Sequence, residues 1–213
     1  MNIESVRRTN VTREIRHGMR GESARRCIGK IEKCVDIFGL TKGDFSMIDI
    51  VRHIVDEIGP CDIDIGTWTA ANADIKQAHN LFGDKRLRRV RFLVDRSFPA
   101  RQPAYYAALL KAFGQGSVRM ARFHAKFILA ENEEYSVAVR TSMNLNENKR
   151  IEFYELSEGS PISGYLRQIS DYHFAKPSED SYSAFEEFDV TDDANSVNSP
   201  QGVDSQHCLS GWD

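Results

Sequence analysis

From Cys61 onward the sequence switches repeatedly between two hydrophobic periods, and this alternation limits the chain to few architectures. Asp62-Ile-Asp-Ile-Gly66 alternates polar and apolar residues, as a half-buried strand does. Asn72–Phe82 has helical spacing, Val90–Val94 reads as a strand, and Pro103–Phe113 reads as a helix entered through proline. Val118–Ala121, Ala125–Ala130, Tyr135–Thr141 and Ile151–Leu156 read as further strands, and Ile162–Phe174 as a closing helix. Strands interleaved with helices bury their apolar faces best as layers. The pattern therefore predicts an α/β fold, a mixed sheet flanked by helices.

The first 60 residues read differently. Cys27, Ile28, Ile31, Cys34, Val35 and Phe38 recur at spacings of three and four, which predicts a helix over Glu22–Phe38 closed by Gly39. Ser46 is a candidate N-cap for a second helix running from Met47 to Ile58, before Gly59-Pro60. The loop between them is too long for a helix-turn-helix, so both are read as packing helices. The chain thus divides into a basic helical extension (1–60), an α/β domain (61–176) and a tail (177–213).

Charge separates these parts. The whole chain carries a formal −3, but residues 177–213 contain nine acids and no Lys or Arg, which leaves +6 for residues 1–176. The tail is rich in Ser, Asp, Glu and Asn and is expected to be disordered. A basic body beside an acidic tail points towards nucleic acid. No apolar run reaches the roughly 20 residues of a membrane span, and the N-terminus lacks the apolar core of a signal peptide. The expectation is a cytoplasmic protein with no membrane partner. Cys27, Cys34, Cys61 and Cys208 form no C-x-x-C pair and are expected as free thiols. With His17, His53 and His79 they complete no zinc pattern, so no metal site and no cofactor is expected.

The chemistry concentrates after residue 123. His124 and Lys126 are two apart on a predicted strand and so share a face. Neutral imidazole is a nucleophile, and an ammonium beside it holds a phosphate oxygen. A hairpin through Asn132–Glu134 sets the next strand antiparallel, which brings Ser142 and Asn144 near that pair. Glu152 then returns a carboxylate to the cluster. By strand parity Arg140 points away from it.

This arrangement resembles the phospholipase D superfamily, whose signature is H-x-K, four residues, Asp, then Gly-Ser-x-Asn with a Glu farther on. Here it reads His124-Ala-Lys126, four residues, Glu131, then Thr141-Ser142-Met143-Asn144, with Glu152 following. The likeness covers roughly Cys61 to Phe174, with Asp64-Ile-Gly-Thr-Trp-Thr resembling the first sheet strand of such domains. Glu131 stands where the family has Asp, Thr141 where it has Gly, and the spacing between them is longer by three residues. Glu131 and Thr141 are carried over as structural motif positions.

The resemblance implies a metal-independent hydrolase that breaks phosphodiesters through a phosphohistidine. Lys126, Ser142 and Asn144 would hold the phosphate oxygens, and Glu152 would orient a histidine. Such chemistry needs two His-x-Lys motifs, and this chain has one; His173 is followed by Phe-Ala-Lys176 and is not a second copy. The small bacterial nucleases of the superfamily meet that need by homodimerising, so a homodimer with a shared site is implied here.

Lys85, Arg86, Arg88, Arg89 and Arg91 place five cations in seven residues, followed by Arg96, Arg101, Arg119 and Arg122. This run favours nucleic acid, DNA before RNA, as the phosphodiester, and hence an endonuclease. It reads equally well as a solvated corner. Two alternatives stay open: a nucleic-acid-binding protein that has lost catalysis, and a phospholipid-acting enzyme. Trp68, Tyr105, Tyr106 and His53 read as packing or rim residues.

Overall fold

The computed structural model describes residues 11–17, 23–146 and 149–176. The acidic tail, and with it Cys208, lies outside the described residues.

Among the described residues eight strands form one mixed sheet: β1 (Thr12–His17), β2 (Val35–Thr41), β3 (Cys61–Thr67), β4 (Leu87–Asp95), β5 (Val118–Ala121), β6 (Phe127–Glu131), β7 (Ser136–Thr141) and β8 (Glu152–Glu158). Their order across the sheet is β1-β2-β8-β7-β6-β3-β4-β5. β3, β4 and β5 run parallel to one another, and β6 returns antiparallel beside β3. The α/β class read from the sequence is the observed one.

Among the described residues six α-helices accompany the sheet: α1 (Ala24–Ile28), α2 (Met47–Ile58), α3 (Asn72–Gly83), α4 (Phe98–Arg101), α5 (Pro103–Phe113) and α6 (Pro161–Ala175). α2, α3 and α5 contribute to one large core with Ile37, Ile63, Ile65, Phe92, Val139 and Tyr154 of the strands. The opposite face carries a smaller core, in which Leu166 of α6 packs with Phe123, Phe127, Leu129 and Ala138. α2 begins where Ser46 predicts it: the Ser46 backbone N–H donates to the Asp49 carboxylate at 2.9 Å, the return half of a capping box.

The segment before residue 61 is not a separate helical extension. The helix read over Glu22–Phe38 stops at Ile28, because Gly29 takes a φ of +65°. Val35–Thr41 is instead a strand, β2, whose alternate residues Val35, Ile37, Gly39 and Thr41 face the core. It pairs with β1 on one side and β8 on the other. Positions three and four apart in a helix are also compatible with two short elements joined by a turn, and pairing along both edges of β2 outweighs local propensity. Two strands therefore precede the one that resembled the first of the sheet.

β3 is covered on both faces, which places a carboxylate, Asp64, in the interior. Arg91 on the neighbouring strand donates to it through Nε at 2.7 Å, and Arg89 also reaches it. This pairing is what a buried charge requires. Cys27 and Cys61 are buried free thiols, whereas Cys34 is disulfide-bonded, which corrects the expectation at that position. Among the described residues no helix is long and apolar enough to cross a membrane.

Candidate active site

β5 lies at the sheet edge, while β6 lies three positions away, beyond β4 and β3. Residues 122–126 must therefore cross the carboxyl ends of β4 and β3. A chain crossing those ends cannot pair along them, so β6 begins only at Phe127. His124 and Lys126 belong to this crossing and not to the strand predicted from Ala125. In open sheets the carboxyl ends of parallel strands are where ligands collect.

The crossing is fastened at both ends. Asp95, the last residue of β4, accepts from the Phe123 backbone N–H at 3.2 Å and from the Ser97 N–H at 2.9 Å. At the other end the Thr141 N–H donates to the Lys126 carbonyl at 3.1 Å. Burial raises the pKa of the Asp95 carboxyl, but the bonds from Ser97 and Phe123 and the Arg101 charge outweigh it and hold the pKa below its usual value. Gly66 lies underneath: a Cβ there would stand 2.5 Å from the Phe127 ring and 2.8 Å from that of Phe123. Only glycine lets both aromatics seat against β3.

Lys126 Nζ donates to the His124 carbonyl at 2.8 Å and stands 3.0 Å from His124 Nδ1. His124 is exposed, and its ring packs against Trp68, with centroids 5.6 Å apart. Trp68 follows β3 directly, and its backbone N–H donates to Asn144 Oδ1 at 3.1 Å. The Asn144 loop is further sewn to the end of β3, since the Leu145 N–H donates to Thr67 Oγ1 at 3.1 Å and the Ala71 N–H to the Leu145 carbonyl at 2.8 Å. Ser142 Oγ donates to the Glu152 carboxylate and accepts from the Phe153 N–H at 3.0 Å. Burial lowers the Lys126 pKa, and the nearby Glu152 charge opposes that shift. His124, Lys126, Ser142, Asn144 and Glu152 thus stand at one end of the sheet.

Of the other predicted residues, Thr141 adjoins the site, and Glu131 and the basic run stand elsewhere. Glu131 ends β6 far from His124; it pairs with Arg167 of α6 and accepts from Ser136 Oγ at 2.6 Å. Thr141 closes β7, with its hydroxyl donating to the Phe153 carbonyl at 2.5 Å and accepting from the Met143 N–H at 3.1 Å. The basic run lies at the opposite end of the sheet. It opens β4 at Leu87, whereas the crossing sits beyond Asp95, nine residues along, or about 25 Å at strand rise. Arg86 pairs with Asp56, Arg88 with Glu133 at 2.5 Å, and Arg89 with Asp62 at 3.3 Å. Arg91 pairs with Asp64 and also reaches Asp171 at 2.7 Å. The β3 register causes two of these pairings: Asp62 lies opposite Arg89 and Asp64 opposite Arg91. Lys85, in the turn before β4 at a φ of +58°, is exposed.

Sequence reading missed Asp95 and the pairing of Trp68 with His124. Asp95 carried a local signal, since Asp-x-Ser after a strand is a common Asx turn.

No family model matches the sequence, and no curated protein does. Among solved structures the chain aligns with a polyphosphate kinase from Porphyromonas gingivalis, at 14% identity and a TM-score of 0.49. The alignment covers 67% of this chain and 26% of that one, so the chain spans about a quarter of that enzyme's length.

The lowered Lys126 pKa has a defined sign. Its ammonium loses the proton at a lower pH than an ordinary lysine, whose value is 10.5. Affinity of the site for inorganic phosphate, titrated from pH 8 to 11, is expected to fall as pH rises through a value below 10.5. Lys126→Arg should remove that fall, because arginine keeps its charge throughout. Superimposable profiles for the two proteins would refute the assignment.

Proposed function

We propose that this chain is a metal-independent phosphodiesterase of the phospholipase D type, an endonuclease acting on nucleic acid. The observation that carries the reading is the convergence of His124, Lys126, Ser142, Asn144 and Glu152 on the crossing segment and the strand ends beside it. The positive charge at the nucleophile is an ammonium 3.0 Å from the imidazole. It supplies the electrostatic role that a divalent cation fills in other phosphodiesterases.

In the proposed reaction His124 attacks phosphorus, the P–N bond forms, and the bond to the leaving oxygen breaks as that oxygen is protonated. Water then attacks phosphorus, the P–N bond breaks, and a base removes the proton from water. Lys126, Ser142 and Asn144 donate to the non-bridging oxygens as charge develops. Glu152, in contact with Ser142 and acting on the Lys126 charge, completes the polar set.

The acid and base of those two steps is a second imidazole. We assign it to His124 of the partner subunit in a homodimer. Exposed apolar residues beside the site support this. Ile15 of β1 lies in register with Phe38 of β2, and Leu40 of β2 with Phe153 of β8. Phe38 and Phe153 stack at 6.5 Å, and all four side chains are exposed. They occupy the half of the sheet face that α6 leaves open, and Phe153 is bonded to Ser142. A contiguous apolar patch of this kind marks an interface, and a second copy seated on it would also complete the site.

Two measurements test the reading. Hydrolysis of DNA and RNA is expected to persist in excess EDTA and to fall at least a hundredfold in His124→Ala; loss on chelation, or activity surviving the substitution, overturns it. Binding without any turnover would instead favour the inactive-binder alternative. Light scattering is expected to give a dimer, converted towards monomer with loss of activity by the paired change Leu40→Lys and Phe153→Lys. A monomeric wild type, active at high dilution, contradicts the shared site.

A further inference from the structure

The arginines at the start of β4 and Arg101 differ in their electrostatic surroundings. At the start of β4 each arginine faces a carboxylate. Arg101, at the end of α4, differs. Its Nε donates to Ser97 Oγ at 2.9 Å and its Nη2 to the Trp68 carbonyl at 2.9 Å. Its guanidinium carbon lies 3.6 Å from the centre of the Trp68 ring, in stacking geometry. A guanidinium has five N–H groups, and the rest of Arg101's have no acceptor among the described residues. The carboxylate its charge acts on, Asp95, is already bonded to Ser97 and Phe123. Arg101 is also exposed. It is therefore a held cation with donors to spare.

The same Trp68 ring touches His124. Arg101, Trp68 and His124 are consecutive contacts, so one aromatic ring separates the guanidinium from the imidazole. We infer that Arg101, stacked on Trp68, is a second phosphate subsite, taking the phosphate next to the one His124 attacks. Two fixed bonds and a stacked plane leave little side-chain entropy to lose on binding, and a planar fork matches a phosphate. A glycerophospholipid offers one phosphodiester and would leave this subsite empty, whereas a polynucleotide fills both. The inference rests on the proposed reaction at His124 and deepens it by naming the substrate class. It also moves the nucleic-acid contact from Lys85–Arg91 to the site end of the sheet.

The experiment compares wild type with Arg101→Ala and Arg101→Lys on two substrates, a single-stranded oligonucleotide and bis(p-nitrophenyl) phosphate, which has one phosphodiester and no neighbour. The ratio of kcat/KM for the oligonucleotide to that for the small diester is expected to fall about tenfold in Arg101→Ala, with partial recovery in Arg101→Lys. An unchanged ratio overturns the subsite and assigns Arg101 to holding Trp68. Oligonucleotide binding is measured in parallel by fluorescence anisotropy across salt, in a His124→Ala background. The slope of log affinity against log salt should drop by about one in the Arg101→Ala variant; an equal slope likewise overturns it. Because binding is read without turnover, a wild type that cleaves neither substrate yet shows the Arg101-dependent slope refutes the proposed reaction and leaves the subsite standing.

Discussion

The organisation of this molecule turns on one topological demand: the chain must pass from β5 at the sheet edge to β6 on the far side of β4 and β3. Five residues, 122–126, make that passage over the carboxyl ends of two parallel strands. Asp95 and the Thr141 N–H fix the two ends of this short segment. His124 and Lys126 are therefore held outside regular structure by a rigid frame, which is the condition for a preorganised site. Gly66 supports the arrangement from beneath, and Trp68 borders it from β3. Ser142, Asn144 and Glu152 arrive independently, from the end of β7 and the start of β8, because those strands turn round at the same end of the sheet.

Electrostatics divide the sheet along the strand direction. At one end Asp56, Asp62, Asp64 and Glu133 compensate the arginines around β4. Such pairs contribute little net stability where exposed, but they cancel the field a polyanion would respond to. At the other end Lys126 and Arg101 stand beside an exposed imidazole.

Much of this was legible in the sequence. α2, α5 and β5 have the bounds read from the sequence, α2 from its capping residue and α5 from its entry through proline. The hairpin read through Asn132–Glu134 does set β7 antiparallel to β6, which brings the Ser142 end of β7 beside the Lys126 end of β6. The reading failed where spacing was ambiguous. Cys27 to Phe38 fits a helix by period, yet Gly29 breaks it and the free edge of β8 recruits Val35–Thr41. The same limit applies to cations. In sequence Lys85–Arg91 is the obvious basic patch and Arg101 an isolated residue; only the register of β3 against β4 neutralises the first, and only the fold sets the second on Trp68.

Covalent chemistry on His124 is the central claim, and it has a direct readout. Protein mixed with excess oligonucleotide in EDTA is quenched within milliseconds under alkaline conditions, where phosphohistidine survives, and analysed by intact mass and peptide mapping. The expected result is a nucleotide adduct on His124, formed at the rate of turnover and absent from His124→Ala. Turnover with no adduct at any quench time, or an adduct on another residue, would contradict it.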